Sequence, residues 1–184
     1  MLRSFLSSPR TIGAIIPSSA ALANAMARQI EHGASVIEIG AGTGAITRHI
    51  TRIGHTSQLV IFEQDRRLAE LLRHQLVQVR VIEGLFHNMV GSLGDLPDNL
   101  VMVSSVPFKS LSGKLHFETA AAICRILCVS PNRRLIQYSY FDSHPFVPHH
   151  SGLQWRRLSR VWANLPPATI WELRAEHSLG TSPS

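Results

Sequence analysis

Val36-Ile37-Glu38-Ile39-Gly40-Ala41-Gly42-Thr43-Gly44-Ala45 is the stretch from which the fold of this chain is read. A short β-branched run carries one acid, three glycines alternate behind it, and a helical pattern then begins. Glycine lets a backbone turn tightly and approach a ligand without interference from Cβ. The helix that follows presents free N–H groups at its start. A second apolar run, Leu59-Val60-Ile61-Phe62, closes on Glu63. An acid about 20 residues beyond a glycine turn is placed to bind a ribose diol. The spacing is GxGxG and not the GxGxxG of the dinucleotide fingerprint. The combination of strand, acid, glycine turn, helix, strand and second acid carries the reading, since the glycines alone are a weak signal.

Working outward, Ser18 or Ser19 caps a helix through about Gln29, with Leu22, Met26 and Ile30 on one face. Strands are predicted over about 34–39, 58–63, 79–82, 99–104 and 134–140, and helices over about 44–53, 65–77 and 113–128. Alternating strands and helices imply a mainly parallel sheet covered on both faces. The tail differs. Residues 155–163 and 168–174 are strand-like runs joined by Asn164-Leu165-Pro166-Pro167. So short a connection makes them antiparallel neighbours.

A chain of 184 residues suggests one domain. At 45% hydrophobic and 16% charged it reads as globular. The net charge of +6 rests on 16 Arg and only 2 Lys, which favours an anionic partner: nucleic acid, acidic lipid headgroups or a phosphorylated substrate. Cys124 and Cys128 lie four apart in a predicted helix, poor geometry for a disulfide, and read as reduced core thiols of a reducing compartment. No apolar run reaches the roughly 18 residues needed to span a bilayer. Leu2, Phe5 and Leu6, beside Arg3 and Arg10, are spaced for one or two amphipathic turns.

Three further stretches narrow the family: Ser8-Pro9-Arg10-Thr11-Ile12-Gly13-Ala14-Ile15-Ile16-Pro17-Ser18-Ser19, Ile136-Gln137-Tyr138-Ser139-Tyr140, and Arg160-Val161-Trp162-Ala163-Asn164-Leu165-Pro166-Pro167-Ala168. With the glycine turn, which resembles motif I of the class I methyltransferases, they make the chain similar to bacterial phospholipid N-methyltransferases. That family is in turn similar to the ribosomal RNA adenine dimethyltransferases. The resemblance implies a Rossmann-like α/β fold, a mainly parallel seven-stranded sheet with a C-terminal antiparallel hairpin. It implies S-adenosyl-L-methionine as cofactor, with S-adenosyl-L-homocysteine as product, and the amine headgroup of a lipid such as phosphatidylethanolamine as acceptor. It also implies a protein lying peripherally on the inner, cytoplasmic face of an anionic membrane. Residues 1–17 are then a membrane-surface segment, 18–176 the methyltransferase domain and 177–184 a frayed tail. The alternatives are a ribosomal RNA adenine N-methyltransferase and a non-catalytic RNA-binding protein on the same fold.

Two departures from the family pattern stand out. Glu83-Gly84-Leu85 replaces Gly-Asp-Ala after the third strand, so Leu85 stands where an acid commonly contacts the adenine amino group. Adenine is then held by backbone groups or by Asn88, or cofactor affinity is reduced. Ser104-Ser105-Val106-Pro107-Phe108 follows the fourth strand. The family shows Ser-Gly-Leu-Pro there, and adenine dimethyltransferases carry an Asn that holds the target amine.

The cofactor-binding set is Glu38, Gly40, Gly42, Gly44, Glu63, Gly84, Ser18 and Ser19. Tyr140 is the acceptor-site candidate, because its ring can face a methylated ammonium and its hydroxyl can bond an amine or a phosphate. Ser104 and Pro107 are expected on the floor near the transferred methyl. His144, His149 and His150 read as an exposed loop, with no cysteine or acid to complete a metal site. The pairs Arg66-Arg67, Arg133-Arg134 and Arg156-Arg157 read as solvated faces, and Trp155, Trp162 and Trp171 as core.

Overall fold

The computed structural model describes residues 19–140 and 142–176. The segment 1–17, Ser18 and the tail 177–184 lie outside the described residues. Helix α1 (Ala20–Ala27) leads into strand β1 (Ser35–Ile39), helix α2 (Ala45–Ile53), strand β2 (Gln58–Glu63), helix α3 (Arg66–Gln75) and strand β3 (Arg80–Glu83). A one-turn helix α4 (Phe86–Met89), strand β4 (Leu100–Ser104), helix α5 (Gly113–Leu127) and strands β5 (Arg134–Ser139), β6 (Leu153–Val161) and β7 (Ala168–Ala175) complete the order. Element boundaries depart from the sequence expectation by a residue or two in most cases. The turn α4 and two 3₁₀ segments, Val90–Leu93 and Phe108–Ser110, are too short to leave a periodic signal.

The seven strands form one sheet in the order β3-β2-β1-β4-β5-β7-β6. The first five are parallel to one another, while β7 is antiparallel to β5 and β6. The strand order reverses at β1: β2 lies on one side and β4 on the other. Such a switch point leaves a crevice at the carboxyl ends of the two central strands, where α/β proteins bind ligands. Both turns singled out in the sequence, Gly40–Gly44 after β1 and Ser104–Pro107 after β4, open into it. The registers Ile39↔Phe62 and Ile39↔Ser104 bring these ends level.

All five residues of β1 are buried, as a central strand covered on both faces requires. On one face Val36, Val101, Val103, Ile136 and Ile170 pack under α1 and α2. On the other, Ile37, Ile39, Met102, Leu135 and Leu173 pack under α4 and α5. Helix α1 is held by Leu22, Ala23, Met26 and Ala27, all fully buried. Burying a side chain such as Leu22 is worth about 1.5–3 kcal/mol. Asp65 caps α3 by accepting from the Arg67 and Leu68 N–H groups.

Several expectations are corrected here. Arg133 and Arg134 are buried: Arg133 donates to the Pro97, Ile126 and Leu96 carbonyls, and Arg134 to Glu172 and the Gln29 carbonyl. A guanidinium with that many acceptors can leave the surface. Trp171 is core, but Trp162 is exposed at the tip of the β6–β7 hairpin. Cys124 is buried while Cys128 is exposed, because Cys128 stands one residue past α5. Among the described residues no helix is long and apolar enough to cross a membrane.

Candidate functional site: a glycine turn and an acceptor turn at the sheet switch point

Gly40, Gly42 and Gly44 all adopt positive φ, at 73°, 58° and 79°, a region that L side chains enter at a cost. Their surroundings differ. A Cβ on Gly44 would lie 2.7 Å from Leu72 Cδ2, and one on Gly40 would lie 3.3 Å from Val106 Cγ2. One on Gly42 would meet nothing within 4 Å. Gly44 therefore lets α3 pack closely and Gly40 the turn Ser104–Pro107, the candidate acceptor turn, while Gly42 faces open space.

Glu63 Oε2 accepts from the Gly42 N–H at 2.7 Å, and Oε1 from the Asp65 N–H at 2.8 Å. This carboxylate is 4% exposed. It uses two of its four lone-pair positions on the protein and keeps two for hydroxyls at the crevice.

Glu38 is fully buried under α2, and neither carboxylate oxygen has a partner in hydrogen-bond geometry. Burial pushes its pKa up to about 8. Thr47, in the first turn of α2, pulls the other way, and the nearby charge of Glu63 adds to the rise. A buried acid with idle oxygens beside a glycine turn suits a ligand carrying an amino group.

Gly84 and Ser19 each carry a structural role. Gly84 has φ 134° and a Cβ there would lie 2.9 Å from Met89 Cγ, so packing of Met89 accounts for it. Ser19 caps α1, its hydroxyl accepting from the Leu22 N–H at 3.2 Å. Its own N–H donates to Asn164 Oδ1 at 3.1 Å. Leu85 starts α4 with its carbonyl accepting from Asn88 and Met89. Asn88 itself is solvent-exposed. A depression of about 470 Å³ between α1 and α2, lined by Ala20, Asn24, His49 and Arg52 among others, does not include the glycine turn.

At the acceptor turn the expectation for Ser104 is corrected. Ser104 is fully buried and its hydroxyl accepts from the Val106 N–H at 3.2 Å, so it builds the turn from within. Ser105, half-buried, stands at the mouth with exposed Pro107. Gln137 Nε2 holds the turn from β5, donating to the Val106 and Tyr138 carbonyls, each at 3.1 Å. Phe108 is 2% exposed, walled in by His116 and Phe146.

Tyr140 follows β5 directly and is half-buried on the α1/α2 face, edge-on to Tyr138 with ring centroids 5.5 Å apart. Burial pushes its phenol pKa well above the usual value, and the bond and charge of Tyr138 add to that. Sequence reasoning missed Ser105, Gln137 and Tyr138 as parts of the site. The last two lay inside a stretch quoted for its resemblance, and only the register shows which of its residues face the turn. His144 stacks near Trp155 and edge-on to Trp171. Among the described residues no group of three or more metal-ligating side chains is assembled.

The residues present fit S-adenosylmethionine at the glycine turn: an open approach at Gly42, an acid with free acceptor capacity at Glu63, and the unpartnered Glu38 carboxyl. After β3, Leu85 offers no polar side chain.

The family model described as ribosomal RNA adenine dimethylase matches residues 3–110. Curated relatives include the ribosomal RNA small subunit methyltransferase A of Thermotoga petrophila, 31% identical over 80 residues, covering 44% of this chain and 29% of that protein. The probable enzyme of the same name from Haloquadratum walsbyi is 31% identical over 94 residues, covering 50% of this chain and 30% of that one. The matched stretches thus span about 30% of those relatives' length. Among solved structures, the N-methyltransferase NodS from Bradyrhizobium japonicum WM9, in complex with S-adenosyl-L-homocysteine, superposes with TM-score 0.63 at 14% identity over 86% of each chain. The 23S rRNA methyltransferase ErmE superposes with TM-score 0.59 at 19% identity, covering 84% of this chain and 67% of that one. At these identities the structures share the fold.

Proposed function

This chain belongs to the ribosomal RNA adenine dimethylase family, and from that premise we propose that it methylates an amine nitrogen, the acceptor being the headgroup amine of a membrane lipid such as phosphatidylethanolamine. Its class is that of the S-adenosylmethionine-dependent methyltransferases with the class I fold. S-adenosylmethionine, when bound, supplies an electrophilic methyl on a sulfonium. The chain's own groups must then orient the cofactor, exclude water and present a neutral amine in line with that methyl. Gly42 and Glu63 would hold the cofactor along the crevice, and the Glu38 carboxyl, buried behind the glycine turn, would favour its amino end. Ser105 and Pro107 border the approach of the acceptor. Tyr140 keeps its proton over the working pH range, so it serves as a neutral hydrogen-bonding group and an aromatic face, not as a base. The amine must shed its proton before it attacks, since a cationic ammonium has no lone pair and is repelled by the sulfonium.

The observation that carries the lipid reading is the acceptor turn. None of residues 104–107 carries a carboxamide, and the one that touches the turn, Gln137, is buried behind it: Ser104 is turned inward and Ser105 stands at the mouth. Its aromatic residue, Phe108, is buried and offers no face to a planar base. An enzyme that methylates a base reads it by hydrogen bonds at its edge and by stacking between aromatic side chains. A small, flexible alkyl amine asks for neither.

A ribosomal RNA adenine is the second reading. It is favoured by the family match and by the names of the curated relatives, and the +6 charge suits it equally. The deciding experiment offers methyl-labelled cofactor with phosphatidylethanolamine vesicles, ornithine-lipid vesicles and ribosomal RNA in parallel. Label in lipid supports the proposal. Label in RNA alone overturns it in favour of the second reading.

A further inference from the structure

The β6–β7 hairpin ends in a turn that the cofactor and acceptor sites do not use. Trp162 and Leu165 are 71% and 72% exposed there. This exposure is built into the fold. Asn164, between them, is buried. Its Oδ1 accepts from the Ser19 N–H at 3.1 Å and its Nδ2 donates to the Pro166 carbonyl at 2.7 Å. One side chain thus clamps the tip to the start of α1 and leaves its two large apolar neighbours facing solvent.

The tip has basic surroundings. Arg160 lies over the Trp162 ring, 4.4 Å from its centroid. Arg156 and Arg157, further down β6, have side chains 67% and 47% exposed. The acids near them are Glu172, which is also bound to Arg134, and Asp142, shared between Arg157 and Arg160. Positive charge therefore exceeds negative around an indole and an isobutyl group. An amphipathic ring with arginines behind it suits the headgroup level of an anionic bilayer.

Register sets the tip beside the acceptor site. Val161 pairs with Ala168 at its base, and Thr169, the next residue of β7, pairs with Ser139. Tyr140 follows Ser139 in the chain. The tip, Tyr140 and the start of α1 thus share the edge of the sheet at which the cofactor crevice opens.

Resting on the lipid reading above, we infer that the hairpin tip, through Trp162 and Leu165, is a membrane-docking element that seats this edge of the sheet on an anionic bilayer and brings a headgroup amine to Tyr140. Its test is co-sedimentation with phosphatidylcholine vesicles with and without phosphatidylglycerol. The proteins compared are the unaltered chain, the double variant Trp162→Ala/Leu165→Ala, and Val77→Ala. Val77 is 86% exposed in the turn before β3, at the opposite edge of the sheet. The double variant is expected to bind anionic vesicles about tenfold more weakly, Val77→Ala to bind unchanged, and both to melt near the unaltered chain. In vesicles carrying brominated lipid, Trp162→Phe is expected to remove the quenched part of the tryptophan emission.

Equal vesicle binding by the double variant overturns the inference. So does loss of ribosomal RNA binding in its place, or vesicle binding that rests wholly on residues 1–10. The lipid reading is tested apart from docking by methylation of phosphatidylethanolamine in detergent micelles. If the unaltered chain methylates micellar lipid while the tip variant binds vesicles normally, docking fails and the reading stands. If micellar and vesicle lipid alike stay unlabelled, the reading fails, and the vesicle result still decides docking.

Discussion

The Gly42 N–H and the Glu63 carboxylate are joined by a 2.7 Å hydrogen bond between the turns that follow β1 and β2. The same carboxylate takes the Asp65 N–H on its other oxygen. Glu63 and the glycine turn are thus tied together, and a change in either reaches both.

Glu63→Gln replaces one acceptor oxygen with a donor and sets it against a backbone N–H. S-adenosylhomocysteine affinity, by calorimetric titration, is expected to fall by on the order of 1.5–3 kcal/mol, more than tenfold. Gly42→Val puts a β-branched side chain at φ 58° and into the open space beside the turn, where the cofactor is proposed to pass, and is expected to abolish binding. Unchanged affinity in both variants, each shown to be folded, would remove the cofactor from this turn.

Glu38 sets a pH dependence of stability. Its folded pKa of about 8 lies above its ordinary value of 4.5, so between the two the native state holds a proton that the unfolded chain has lost. The contribution of Glu38 is neutral below about pH 4.5. It becomes steadily more destabilising as pH rises to 8 and is constant above that, an effect on the order of several kcal/mol. Urea denaturation of the cofactor-free protein between pH 5 and 8.5 is expected to show Glu38→Gln gaining on the parent as pH rises. Parallel profiles would show that Glu38 is not held neutral.

If Tyr140 orders the headgroup, Tyr140→Phe should lower turnover about tenfold to a hundredfold, or about 1.4–2.7 kcal/mol, with cofactor affinity unchanged. Its phenol is raised by burial beside Tyr138, so the rate profile below pH 10 should carry no ionisation that the variant removes. Normal turnover in Tyr140→Phe takes the hydroxyl out of the mechanism.

Glu172 is 1% exposed and pairs with Arg134 at 2.9 Å and Arg156 at 3.0 Å. Glu172→Ala leaves the buried Arg134 with only exposed Glu31 as acidic partner and is expected to cost about 3–5 kcal/mol. Glu31→Ala, at the solvent end of the network, should cost less than about 1 kcal/mol. Equal losses from the two would contradict this division.

The glycine turn, both acids and the alternation of elements were legible because each leaves a local pattern. The antiparallel pairing of residues 155–163 with 168–174 followed from loop length alone. What stayed hidden depends on neighbours distant in sequence. Arg133 and Arg134 look like a surface pair until carbonyls at 96, 97 and 29 and a carboxylate at 172 converge on them. Trp162 reads as core by its type, yet the turn carries it past the last paired residues of the sheet. Ser104 and Ser105 look interchangeable, and strand alternation alone decides which hydroxyl turns inward. Gly84 reads as a ligand-loop glycine in sequence, and its close contact with Met89 was hidden.

The position of β7 has a consequence for how the chain reaches this state. Residues 168–175 pair on both edges, with β5 and with β6. During synthesis the five parallel strands emerge first and can align, but β5, which ends at Ser139, keeps an open edge until Ala168–Ala175 has appeared. An open, apolar edge recruits other chains. The interval between making β5 and making β7 is therefore when a nascent chain is most exposed to aggregation, and a stop codon before residue 168 would hold it in that state.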